Sequence, residues 1–103
     1  MNRKQKLIAA AALAAVAATW AIPAQAGRTL NAVKSRGMVV CGVNTAAPGF
    51  SGADSRGHWK GLDVDICRAV AAAVLKDANK VKFVPLSSEQ RFTALQSGQI
   101  DIL

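Results

Sequence analysis

Apolar positions follow several different rhythms along this chain, and each rhythm predicts an element. Leu7 to Ile22 is an almost unbroken apolar block. Residues 38–43, "MVVCGV", are a compact β-branched run with the character of a buried strand. Residues 80–86, "KVKFVPL", set Val81 and Phe83 against Lys82, the alternation of a second strand, which Pro85 stops. Between the two strands, Leu62, Ile66, Ala69, Val70 and Ala73 recur at spacings of three and four, predicting a helix over 62–76 with that face inward. Cys67, Val70 and Val74 widen the face.

Flanking signals complete the order. Residues 27–37 predict a short amphipathic turn through Leu30 and Val33, broken at Ser35-Arg36-Gly37. Ser87-Ser88-Glu89-Gln90 reads as a capping box, Ser87 accepting from the backbone and Gln90 reaching back. The helix it opens is expected to bury Phe92 and Leu95 and to end at Gly98. "QIDIL", residues 99–103, begins a third strand. Residues 44–61, with Pro48 and glycines at 49, 52, 57 and 61, lose all periodicity and predict a long irregular loop, a place for function. Strand, helix, strand, helix, strand implies an α/β fold with parallel pairing and right-handed crossovers. Ligands of such sheets bind beyond the carboxyl ends of the strands, here Val43-Asn44 and Leu86-Ser88.

The first residues change what the rest means. Arg3, Lys4 and Lys6 precede the apolar block, and Ala24-Gln25-Ala26 follows it with small residues where signal peptidase needs them, so residues 1–26 are expected to be a signal peptide cleaved after Ala26. The block is short for a bilayer span and rich in alanine, which disfavours an uncleaved anchor. Three of the thirteen basic residues leave with this leader while all six acids remain, so the net charge falls from +7 to +4. The remaining basic residues are scattered without a run or interleaved aromatics, which favours a solvated surface over nucleic-acid binding.

Export also decides the chemistry of Cys41 and Cys67. In an oxidising compartment they predict a disulfide, worth roughly 3–4 kcal/mol in the chain-entropy model; two buried thiols are the other arrangement. With His58 they lack zinc-ligand spacing, and the absence of Cys-x-x-Cys excludes a thioredoxin-like role. Asp63 and Asp65 flank one valine in "GLDVDICRAVAAAV". No histidine, serine or third acid accompanies them, so they are read as first-turn carboxylates favoured by the helix dipole, with Asp65 within reach of Arg68. No catalytic residue, metal site or cofactor is expected.

That same run resembles the signature of the periplasmic solute-binding proteins for polar amino acids (family 3), in its general L-amino-acid-binding subgroup. "VVCGVNTAAPGF" is similar to the family's first strand and binding loop, and "PLSSEQRFTALQSGQIDIL" to its second strand, helix and third strand. The likeness runs from about Thr29 to Leu103. It implies a two-lobed protein of type II periplasmic-binding-protein fold, of which residues 27–103 form the N-terminal part of lobe I. The chain, ending on an apolar strand residue, is thus expected to be an N-terminal fragment that does not bind ligand alone. The implied function is capture of a free L-amino acid and delivery to the membrane permease subunits of an ABC transporter, as a periplasmic monomer without enzymatic activity. The fold also hosts periplasmic enzymes such as cyclohexadienyl dehydratases, and sensor domains.

The resemblance also implies site residues. Asn44 stands where the ligand side chain is read, and its amide both donates and accepts. Phe50 matches an aromatic position beside the ligand, Ser88 a hydrogen-bonding position, and Arg91 one that meets acidic side chains. Ala47 stands where many relatives carry an aromatic platform, which implies a roomier site of broad specificity. Trp59 is expected to pack the loop onto the helix. The groups that clamp the ligand's carboxylate and ammonium are expected after Leu103.

Overall fold

A computed structural model describes residues 1–18 and 27–103. Helix α1 spans Arg3–Ala18 within the expected leader; the cleavage motif at 24–26 lies outside the described residues. Among those described, no helix is long and apolar enough to cross a membrane.

The sheet is built around β1, Val39–Val43. It pairs in parallel with β4, Val81–Pro85, in a register running from Val39 opposite Val81 to Val43 opposite Pro85. Its other edge is also parallel: Asp101 N–H donates to Val40 O at 2.8 Å and Gly42 N–H to Ile102 O at 2.9 Å. The third strand expected at 99–103 is reduced to this single bridge between Cys41 and Ile102, so the strand character of "QIDIL" is expressed only at its centre. The resulting parallel α/β arrangement is the one the pattern predicts, and the structure adds that β1 stands in the middle.

Being central, β1 is covered on both faces, and the alternation of a strand sorts its residues between them. Val39, Cys41 and Val43 point to one side, where they meet Val33 of α2 (Arg28–Arg36) and Val64, Cys67 and Ala71 of α3 (Leu62–Leu75). Val40 packs on the opposite side with Leu86, Ile100 and Ala94 of α4 (Arg91–Gln96). Gly42 also faces that side, where an added Cβ would come 2.6 Å from Ile100 Cδ1. Across the sheet's edge, the Arg36 guanidinium pairs with the Asp101 carboxylate, which also accepts Val40 N–H at 2.8 Å, tying the end of α2 to the last segment.

Two expectations are corrected. Helix α3 turns a different stripe inward: Val64, Cys67 and Ala71 are buried, whereas Leu62 and Ile66 are exposed at 55 % and 49 %. The Cys41–Cys67 disulfide, with 6.2 Å between Cα atoms, holds Cys67 against the sheet and so fixes which stripe faces it. In α4 the small Ala94 is buried, while Phe92 and Leu95 are exposed, because close approach to Leu86 and Ile100 puts Ala94 at the contact. The capping box does form, with Gln90 N–H donating to Ser87 Oγ at 3.3 Å and Gln90 Oε1 accepting from Ser87 N–H at 3.5 Å, but the α-helical turns begin only at Arg91. Gly98, at φ +77°, follows the end of α4 in the left-handed conformation expected of it.

The loop 44–61 is less irregular than its composition predicts. Gly52–Ala53 (β2) pairs antiparallel with Trp59–Lys60 (β3). The turn between them is organised by Asp54, whose Oδ1 accepts the N–H groups of Arg56 and His58 at 2.9 Å each. Trp59 packs on the Cys41–Cys67 cluster beside Phe83, its ring 6.2 Å away, and its carbonyl accepts from Arg68 at 3.0 Å. It therefore fastens the loop to α3, as expected.

Candidate functional site

Parallel βα units place the carboxyl end of each strand and the start of the following helix on the same edge of the sheet. Here that edge carries an open cavity of about 360 Å³. Val43 and Asn44 at the end of β1 and Leu86 just past β4 form its floor. Asp63 and Ile66 of α3 stand on one side and Arg91 and Phe92 of α4 contribute another part of the wall.

Asn44 is held by its neighbours. Its Oδ1 accepts Ala46 N–H at 2.9 Å, which leaves the amide NH₂ for another partner. Its carbonyl accepts the hydroxyl of Ser51 at 2.7 Å, and Ser51 is only 1 % exposed. Leu86 N–H donates to Val43 O at 2.9 Å, joining the two strand ends that make the floor.

Arg91 opens α4 with its guanidinium carbon 4.9 Å from the centre of the Phe92 ring, a cation–π contact. Its Nε is buried with no hydrogen-bond partner. A buried donor left unpaired costs about 1–3 kcal/mol, so a shift of the Arg91 side chain that brings Nε to an acceptor is favoured. One turn earlier, the Ser87 hydroxyl holds the Glu89 carboxyl below its ordinary pKa. That keeps Glu89 ionised and engaged locally.

The loop reaches α3 through its backbone. Gly49 O and Phe50 O accept the N–H groups of Leu62 and Asp63 at 3.0 and 2.9 Å, satisfying two of the helix's free donors. No side chain caps this end. Phe50 is 54 % exposed and lines no part of the cavity. Ser88 is likewise exposed and outside it. Of the four residues singled out from the sequence, Asn44 and Arg91 thus share the cavity, and Phe50 and Ser88 do not line it. Asp63, expected only to start the helix, also stands in the wall. The signal was available, since a helix that follows β1 must start at the sheet edge where ligands bind. A second hollow of about 490 Å³ runs between β4 and α4 past Gln90, Thr93 and Ser97, and holds none of the expected residues.

Parallel strands flanked by helices, with polar and charged groups gathered at the strands' carboxyl ends, define an α/β domain of the kind that binds small ligands at that edge. Residues 39–103 match the bacterial extracellular solute-binding proteins, family 3, and the chain belongs to that family. It is 54 % identical over 100 residues to the general L-amino acid-binding periplasmic protein AapJ of Rhizobium johnstonii, covering 97 % of this chain and 29 % of AapJ. It is 48 % identical over 101 residues to the glutamate/glutamine/aspartate/asparagine-binding protein BztA of Rhodobacter capsulatus, covering 98 % and 29 %. Among solved structures, an ABC transporter periplasmic binding protein from Brucella ovis with glutathione bound superimposes with a TM-score of 0.68 at 54 % identity, over 70 % of this chain and 22 % of that one. The chain therefore spans under a third of the length of these relatives.

Proposed function

We propose that this chain is the first part of the substrate-binding component of an ABC transporter, which captures free L-amino acids in the periplasm and hands them to the permease in the inner membrane. The observation that carries the reading is the cavity shared by Asn44 and Arg91 at the carboxyl ends of parallel strands, in a chain of this family. The names of AapJ and BztA, one general and one covering acids and their amides, support broad specificity. Asn44 reads side chains through its remaining NH₂ donors, and Arg91 meets acidic ones with its guanidinium. Phe50 and Ser88, exposed on the loops that leave β1 and β4, contact the ligand once it is bound. The protein acts as a monomer after loss of residues 1–26, and it binds without transforming its ligand.

The test uses the full-length mature protein, titrated with a panel of L-amino acids by calorimetry and by tryptophan fluorescence. Micromolar binding of several amino acids, with a spectral change on closure, is the expected result. A response confined to sugars, or turnover of a bound ligand, would overturn the reading.

A further inference from the structure

Asp63 differs from every other acid in this chain. Four of the other five carboxylates are engaged, Asp54 in its turn, Asp65 with Arg68, Asp77 on Asn79 N–H and Asp101 with Arg36 and Val40 N–H, and the fifth, Glu89, lies outside the cavity. Among the described residues, the Asp63 carboxylate has no hydrogen bond and no ion pair. It is also the one acid that lines the cavity, whose wall includes the guanidinium with the unpaired Nε. One hollow therefore holds a free anionic group, a cationic donor lacking its acceptor, and the amide of Asn44. Dipole stabilisation at the start of α3 does not separate Asp63 from Asp65, since both lie in the first turn. Only the cavity does.

We propose that Asp63 is a specificity-determining residue that reads cationic side chains, the counterpart of Arg91 for acidic ones. Broad specificity toward charged ligands then comes from two groups of opposite sign. An acidic side chain is directed to Arg91 and a basic one, such as that of arginine or lysine, to Asp63. A polar side chain meets Asn44. Closing around the ligand excludes water and strengthens either charged contact. The inference rests on the reading of this cavity as the amino-acid site.

The experiment compares Asp63→Asn with Asp65→Asn in the full-length mature protein, titrated with L-arginine, L-lysine, L-glutamate and L-glutamine by calorimetry. Both variants lose the same kind of helix-dipole interaction, but Asp65 lies outside the cavity. Asp63→Asn is expected to weaken arginine and lysine about tenfold, the scale of one charge-assisted hydrogen bond, with glutamine unchanged and glutamate unchanged or tighter. Asp65→Asn is expected to leave all four unchanged. Equal weakening of all four ligands by Asp63→Asn would overturn the proposal, because the carboxylate would then serve a group common to every amino acid. Unaltered binding of arginine would overturn it too, as would wild-type protein that binds glutamate but neither basic ligand. Wild-type protein that binds no amino acid would instead remove the functional reading beneath it.

Discussion

The backbone N–H of Asp63 donates to the carbonyl of Phe50 at 2.9 Å, so the loop leaving β1 caps the helix that follows it. This contact leaves no room beside it. A Cβ added at Gly61 would lie 2.3 Å from the same carbonyl oxygen, and Gly61 has φ +126°, a region closed to other residues. Gly61→Ala must therefore either break the cap or shift the loop. The expected loss is roughly 2–4 kcal/mol, combining backbone strain with lost hydrogen bonds, read as a lower urea midpoint. An unchanged midpoint would show that the loop does not cap α3 through these carbonyls.

The disulfide joins the centre of β1 to the middle of α3 across a sequence separation of 26 residues. Closing a loop of that size stabilises by about 3.5 kcal/mol in the chain-entropy model. Unfolding the oxidised protein without reductant should release no titratable thiol, and the double variant Cys41→Ala/Cys67→Ala should unfold at a markedly lower temperature. Two thiols per chain in the unreduced protein would contradict the bridge.

Helix α3 ends on a strained residue. Lys76 occupies its C-cap at φ +59°, the one non-glycine residue with positive φ among those described. A Cβ in that conformation costs about 1–2 kcal/mol, partly offset by the greater entropy that glycine carries in the unfolded chain. Lys76→Gly is accordingly expected to raise stability by about 0.5–1 kcal/mol, visible as a higher melting temperature. A lower one would mean that the Lys76 stem contributes more by packing than its backbone loses.

What the pattern of residues conveyed, and what it concealed, follows from packing. β1 was legible because a strand covered on both faces must be apolar throughout, and "MVVCGV" is. The inward face of α3 was not, because the helix carries two apolar stripes and periodicity alone cannot rank them. The more hydrophobic stripe, through Leu62 and Ile66, is exposed, with Ile66 against the cavity, while the smaller Val64, Cys67 and Ala71 allow close approach to the sheet. The disulfide expected between Cys41 and Cys67 is what selects the inward stripe, because it ties Cys67 to the sheet. In α4 the same preference for a small contact residue brings Ala94 inward instead of Phe92. The place of Asp63 in the cavity wall is concealed in the sequence because starting a helix already accounts for the residue.

The turn that joins β2 to β3 depends on one ionised carboxylate. Asp54 is held below its ordinary pKa of 3.8, chiefly by the hydrogen bond from His58 N–H and also by that from Arg56 N–H, with the nearby His58 and Lys60 side chains adding to the effect and partial desolvation opposing it. A carboxyl whose pKa is lower in the folded state than in the unfolded one adds stability above the unfolded value, and that stability is lost as pH falls through the folded value. The turn should therefore hold unchanged through neutral pH and loosen only on the acid side of about pH 4. The group is solvent-accessible, so the effect is local. Amide exchange at Arg56 and His58, followed by NMR, should accelerate relative to the β1 amides as the pH is lowered through that range. In Asp54→Asn the same amides should exchange with no such acid-side step. An acid-side step that persists in the variant would assign the pH dependence to another group.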